Sequence, residues 1–380
     1  MLRLSGPFAS YPSLSITPTV TFTPIQIRRR LLSYEHTIAD GVGFETLRAS
    51  FATDAQEAVQ WLTRLRAAIV ATDGDGAICW EGCISQVDIT VGGRSRSISL
   101  DPVANRVRCR YTLRGLGVPR VTSTVSSAAS IAAYGTKDAV ITLGSADSTA
   151  AANAAAAYLA TFAYPRAVPA VTLAAGAPSD QGGATVTITG AGWYTTLGWV
   201  LTERTDSSTE STTTQVGALI GGSAPGIGAT NAGLVSTSTA HIVSSGISAA
   251  RTIAADTPYQ AKVEALLSQG TSAGARLSWG VYEARELYVT AWQALSYTVR
   301  QRSALITTGG ARLIPPWQVR PGATVIDADV AGLATSSTVD TGAQFVLARV
   351  SFSAGPDGWS LGLEPSSVTD VDARIARLTA

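Results

Sequence analysis

Histidine, cysteine and lysine are nearly missing from this 380-residue chain, and each shortage excludes a kind of chemistry. His36 and His241 are the two histidines, and neither has a second His, a Cys or a carboxylate at ligand spacing. Zinc patterns and histidine-driven acid–base catalysis therefore have nothing to build on. No G-x-S-x-G elbow occurs, and "GGSAPGIGAT" from Gly221 lacks the Lys and Ser/Thr that a phosphate loop uses to hold phosphate and magnesium. Cys79, Cys83 and Cys109 are odd in number and few, which argues against a disulfide scaffold. On an extended strand Cys79 and Cys83 would stand about 13 Å apart, too far to bridge, so free buried thiols are expected.

Charge is also scarce. Charged residues make up 14% of the chain, against roughly 25% in soluble domains. The net charge is +1, from 28 basic and 27 acidic residues, so no global field favours nucleic acid, acidic substrates or anionic lipid. Lys137 and Lys262 are the only lysines. The excess of arginine has two readings: GC-rich coding, or interfaces that use the planar guanidinium for bidentate pairing and stacking. "IQIRRRLL" is the one basic cluster; on a strand Arg28 and Arg30 share a face and Arg29 takes the other. That split suits interface salt bridges or a solvated face better than a nucleic-acid stripe. No run has the length and apolarity of a membrane span. The opening "MLRLSGPFASYPSLSITP" has no signal-peptide core, so folding in a cytoplasm is expected. "TDGDG" at 72–76 and "DAD" at 327–329 could offer oxygens to calcium, but neither continues into an EF-hand loop. No catalytic, cofactor or metal residue is assigned, and no enzyme is expected.

What is present is mostly strand. "FETLRASF" alternates, "ICWEGCISQVDITV" from Ile78 is long and β-branched, and "NRVRCRYTL" sets Val107, Cys109 and Tyr111 on one face. Thr53 and Gln56 predict a capping box for a helix "DAQEAVQWLTRLRAAIV". "VTSTVSSAASIAAYGTKDAVITL" reads as a Ser/Thr-rich strand or linker with a turn at Tyr134 and Gly135. "SADSTAAANAAAAYLATFAYP" predicts an alanine-rich helix stopped by Pro165. "GGATVTITGAGWYTTLGWVL" reads as two strands joined at Gly190–Gly192. Residues 211–250 hold no Asp, Glu, Lys or Arg and read as an ordered piece lying partly against a partner, or as a flexible loop. "TPYQAKVEALLSQG" predicts a capped helix, after which strands return, and a short helix is expected over 369–378. The fold class is α+β, predominantly β. Trp80, Trp199, Trp279 and Trp359 are core or interface anchors.

"GFETLRASF", "WEGCISQVDITVGG", "NRVRCRY", "YGTKDAVITL" with its Ala-rich helix ending in "YP", "ITGAGWYTTLGW", "TPYQAKVEALLSQG", "WGVYEARELYV", "RPGATV" and "WSLGLEPSS" follow one another along most of the chain. In that order they resemble the tail hub, or baseplate hub, proteins of bacterial viruses, also called minor tail proteins. The resemblance implies two barrel-like β domains related by duplication and joined by helix-bearing middle domains. It divides the chain into 1–120, with a packed helix; a middle α+β region, 121–272; and 273–380, with a short C-terminal helix. Three copies would then form a ring of six similar barrels, with Trp80 and Trp279 beginning corresponding strands. It further implies a structural virion protein, a homotrimer at the tail tip that joins the tail tube to the tip and lets the genome pass. The implied partners are the tube protein, distal tail and other tip proteins, and the tape-measure protein, without stable nucleic-acid binding. The protein would assemble in the host cytoplasm and reside in the virion tail. Arg28, Arg30, Trp80, Trp279 and Trp359 are the interface candidates. The alternatives are a receptor- or glycan-binding tail tip protein and a distal tail protein forming a hexameric ring.

Overall fold

The computed structural model describes residues 13–17, 25–26, 31–39, 42–73, 78–171, 183–203, 206–208, 240–243, 251–267, 276–279, 286–289, 306–308, 312–313, 315–327, 344–356 and 358–365. A 15-stranded sheet organises them. Its central run is antiparallel and out of chain order. Ala68–Thr72 pairs with Ile78–Val91, which pairs with Gly183–Ala191, which pairs with Gly43–Asp54, which pairs with Leu31–Ala39. On the far side of Leu31–Ala39 lies Gln344–Gly355, held in turn by Gly358–Pro365 and Thr324–Asp327. One ladder thus draws on all three of the regions 1–120, 121–272 and 273–380. Its end strands, Ile25–Gln26 and Arg312–Leu313, do not pair with each other, so the described ladder is an open path.

Sequence pattern explains where each strand sits. Along Gly183–Ala191 the residues Ala184, Val186 and Ile188 are buried while Thr185, Thr187 and Thr189 are half-buried, the period-two alternation of a strand with one apolar face. The Ile78–Val91 strand is buried on both faces from Cys79 to Ile84, because it crosses the middle of the main core. All three cysteines are buried and free.

The first helix is shorter than its pattern predicts. It spans Ala55–Trp61, with Asp54 accepting from the Glu57 amide at 2.7 Å and the Thr53 hydroxyl donating to the Glu57 carboxylate. Trp61 is driven into the core against Phe51, ring centroids 4.8 Å apart. Arg66 then takes a positive φ of 69°, and the apolar run after it joins the sheet as Ala68–Thr72. Pairing with Ile78–Val91 satisfies that run's backbone and outweighs its helical spacing.

A second, four-stranded sheet sets Arg106–Leu113 between Val125–Ser126 and a parallel Asp138–Ala146, with Val118–Val121 as an antiparallel addition. Ser148–Phe162 packs over it. Asp147 caps that helix by accepting from the Ala150 amide at 2.7 Å, and its alanines let Ala151 and Ala155 reach the strand in one small core with Val107, Cys109 and Tyr111. A helix that the Ser/Thr-rich reading missed, Ala128–Tyr134, carries the crossover; Ser127 caps it and Gly135, at φ 76°, ends it. Gly183–Ala191 runs into a 3-10 helix, Trp193–Trp199, instead of a second strand. The Tyr259–Leu267 helix is where the sequence places it. No helix among the described residues is long and apolar enough to cross a membrane.

Candidate functional site

Four contact sets tie distant segments of the chain together. The first is a tryptophan–glycine seam. A Cβ on Gly82 would lie 2.4 Å from Trp80 Cη2, and one on Gly190, in the adjacent strand, 2.7 Å from the same atom. Only glycine leaves room for the indole. Gly192 is held as closely, with the Phe44 carbonyl oxygen 1.6 Å from where its Cβ would be.

The second set joins residues 315–325 to the N-terminal strands. Asp73 accepts from Trp317 Nε1 at 3.3 Å and Gln318 Nε2 at 2.5 Å. Arg320 donates to the carbonyls of Trp317 (3.0 Å), Val319 (3.2 Å) and Ile78 (2.6 Å). Beside it, Tyr34 Oη and His36 Nδ1 share a hydrogen bond of 2.8 Å, packed on Phe352. Burial, then the Arg320 charge, lowers the His36 pKa to about 3. Burial also pushes the Cys79 thiol up to about 12 and raises the Tyr34 hydroxyl well above its ordinary value. At neutral pH these are an uncharged imidazole, a thiol and a phenol sealed from solvent. They pack the junction between the 315–325 segment and the N-terminal strands.

The third set stacks cations on indoles. The Arg66 guanidinium lies 5.0 Å from the Trp193 ring and 5.3 Å from Trp199, and Lys137 Nζ lies 4.5 Å from Trp199. Lys137 also donates to the Leu100 carbonyl at 2.5 Å. Its burial lowers its pKa to about 8. The fourth set fixes the 251–267 segment to the second sheet: Asp256 pairs with both Arg108 and Arg110, while Arg106 pairs with Asp138 and Glu203.

Of the interface candidates read from the sequence, Trp80 is fully buried and Trp359 is 7% exposed, both in the main core. Trp279 pairs with Ala240 at the end of Arg276–Trp279, and its side chain lies outside the described residues. Arg28 and Arg30 lie outside them too, as do 221–226, most of 211–250 and 369–378. His36 is buried and His241 is placed by backbone alone, opposite Ser278. Asp73, the first carboxylate of "TDGDG", is committed to the 315–318 segment.

Two features stand out on the surface of the described residues. A groove of about 350 Å³ opens between Leu31–Ala39 and the Gln344–Pro365 hairpin, lined among others by Glu35, Arg48, Ser353, Trp359 and Ser360. Its aromatics, Tyr34 and Trp359, expose 1% and 7% of their surface, too little for a stacking platform. The other is the tip joining Arg106–Leu113 to Val118–Val121, where every residue from Arg114 to Val121 is exposed. Residue pattern alone did not single it out; the two glycines of "RGLG" were the available signal.

No family model matches the sequence, and no curated protein matches it. Among solved structures, the chain is similar to the E. coli c3393 protein, described as a component of the type VI secretion system with structural similarity to the T4 bacteriophage tail proteins gp27 and gp5. Identity is 10%, the alignment covers 93% of this chain and 77% of that one, and the TM-score is 0.37.

Proposed function

We propose that this chain is a structural component of a bacteriophage tail, a trimeric hub ring at the tail tip through which the genome passes. The ordered series of sequence signatures supports the family. The observation that carries the structural part is the pairing of Gln344–Gly355 directly on Leu31–Ala39, reinforced by Arg349, which bonds Glu45 at 2.8 and 2.9 Å. Strands from both β-rich ends thereby belong to one sheet, which suits a ring segment that must hold its shape. Barrel-like closure of each end, a duplicated origin and six quasi-equivalent positions around the ring belong to the same proposal, as do the tube, tape-measure and distal tail proteins as neighbours. The chain acts without catalysis in this reading. Its polar groups suit that role: Arg106, Arg108, Asp73, Asp138, Asp256, Lys137 and Arg320 hold segments of the chain together.

Copy number tests the reading. Quantitative mass spectrometry of purified tails against the tube protein should give three per tail. Six would point to a distal tail ring, and tens or hundreds would replace the hub with a tube or shell component.

A further inference from the structure

We propose that Pro119 and Pro169 are edge blockers: each closes an exposed, valine-rich edge strand against the addition of a further strand, and so keeps copies of this chain from joining sheet to sheet. The inference stands independently of the ring reading above.

Two short strands share one pattern. Val118–Val121 reads Val-Pro-Arg-Val and Val168–Val171 reads Val-Pro-Ala-Val. Every residue of both is exposed, Val168 by 66%, Val171 by 56%, Val121 by 53% and Val118 by 39%. Among the described residues each strand pairs on one side only, the first with Arg106–Leu113 in the smaller sheet and the second with Arg94–Ser99 in the larger one. Neither contains an Asp or Glu, and the second carries no charge at all. An open edge rich in a β-branched residue and poor in charge is a template for another strand.

The phase of the hydrogen bonds decides what the prolines do. In an antiparallel ladder alternate residues turn their amide and carbonyl toward the partner, and the residues between turn theirs to the other side. The Thr122 amide donates to the Cys109 carbonyl at 2.9 Å, and the register carries that phase back to Arg120 opposite Tyr111 and Val118 opposite Leu113. Pro119 and Val121 therefore face the open edge. In the larger sheet the Leu100 amide donates to the Ser85 carbonyl at 2.8 Å, so Arg94 and Arg96 turn toward Ile78–Val91 while Ser95 and Ser97 turn toward Val168–Val171. Their partners Ala170 and Val168 complete those rungs, and Pro169 and Val171 face outward. Each edge thus has two outward positions, and proline holds one of them. It has no amide hydrogen to offer an incoming strand, yet at an outward position its absence costs the native ladder nothing. One residue along, the same proline would have removed a native rung. The same placement in two separate sheets carries the proposal. The edges differ in one respect: Arg120 adds a charge to the first, whereas Pro169 guards the second without one.

Sedimentation velocity of the full chain over a concentration series tests this for the wild type, Pro119→Thr, Pro169→Thr and Pro169→Lys. Threonine restores the amide and suits a strand, whereas lysine restores the amide but sets a charge on the edge. Expected is that the concentration at which Pro169→Thr forms species larger than those of the wild type drops about fivefold or more, the worth of one recovered backbone hydrogen bond. Pro119→Thr should shift less, because Arg120 remains beside it, and Pro169→Lys should stay at the wild-type level. Near-UV circular dichroism of all three should match the wild type, since both positions are exposed and the restored amide faces away from the native ladder. Threonine variants that both associate as the wild type does overturn the proposal: the prolines are then merely tolerated at an edge. Extra association in Pro169→Lys equal to that in Pro169→Thr overturns it too, because loss of the ring, not an edge opened to pairing, is then the cause. Association that appears only where the native spectrum is lost overturns it in favour of unfolding.

Discussion

The indole of Trp80 fills the space that a Cβ on Gly190 would need, its Cη2 lying 2.7 Å from that position. Gly82, two residues along from Trp80 on the same strand face, is held more tightly: its Cβ would also meet the Ala191 carbonyl oxygen at 2.3 Å. Gly190→Ala is expected to cost about 1–3 kcal/mol through overpacking. Gly82→Ala should cost more, since the obstacle is backbone and cannot rotate away. Urea denaturation of both variants checks the order. Pairing Gly190→Ala with Trp80→Phe should recover part of the loss, a coupling visible in a double-mutant cycle.

His36 makes the fold sensitive to mild acid. Its folded pKa, about 3, lies below the ordinary value of 6.5 because burial and Arg320 oppose a charged ring. In the unfolded chain the imidazole takes up a proton below about pH 6.5; in the folded chain it stays neutral down to about pH 3. Between those values the unfolded state binds more protons, so stability is full above pH 6.5 and falls as the pH drops toward 3. The free energy of unfolding measured at pH 7 and pH 5 should therefore differ less in His36→Phe than in the wild type. An unchanged difference would remove His36 as the cause.

Arg320 stitches the 315–325 segment to the sheet through the Ile78 carbonyl, while its bonds to the Trp317 and Val319 carbonyls fix the segment's own turn. Arg320→Leu leaves those acceptors buried without this donor, at a cost of about 3 kcal/mol or more. Cleavage within 315–327 under limited proteolysis should rise in the variant before the Ile78–Val91 strand becomes sensitive. Equal protection of the segment would show that Asp73, with Trp317 and Gln318, suffices to hold it.

Local signals and long-range ones were legible to different degrees. The Ser148–Phe162 and Tyr259–Leu267 helices could be read because caps, alanines and stop residues are close in sequence. The Ala55–Trp61 helix was overextended because Leu62 and Leu65 keep helical spacing, while the force that ends it, pairing with Ile78–Val91, is nonlocal. Ala128–Tyr134 was hidden by serines that serve as cap and core: Ser130 is buried and bonds the Ala163 carbonyl. Trp80 could be picked out as an anchor, but its seat over Gly190 joins residues 110 apart, and no spacing rule announces it. The exposure of residues 114–121 was equally invisible, since "RGLGVPRV" mixes Leu and Val with glycines that would suit a buried turn as well.

Asp256 is the carboxylate on which the 251–267 segment depends. It sits at φ 64°, a left-handed conformation that Asp and Asn tolerate better than other non-glycine residues. Its two oxygens serve different arginines: Oδ1 meets Arg108 at 2.5 Å, and Oδ2 pairs with Arg110. Arg108 exposes 8% of its side chain and also donates to the Thr202 carbonyl at 3.0 Å, whereas Arg110 is 48% exposed. Loss of the carboxylate charge therefore matters mainly through Arg108, whose buried charge would be left uncompensated. Asp256→Asn keeps the backbone preference and removes the charge, so its expected cost of about 3 kcal/mol isolates the ion pair. Asp256→Gly keeps the conformation and removes the acceptor altogether, and should cost at least as much. Arg110→Ala, by contrast, should cost under about 1 kcal/mol, as exposed pairs do. Chemical denaturation of the three variants would decide it: equal losses for Asp256→Asn and Arg110→Ala would mean that Arg108 keeps its charge solvated by another route, and the buried pair would lose its place as the anchor of the segment.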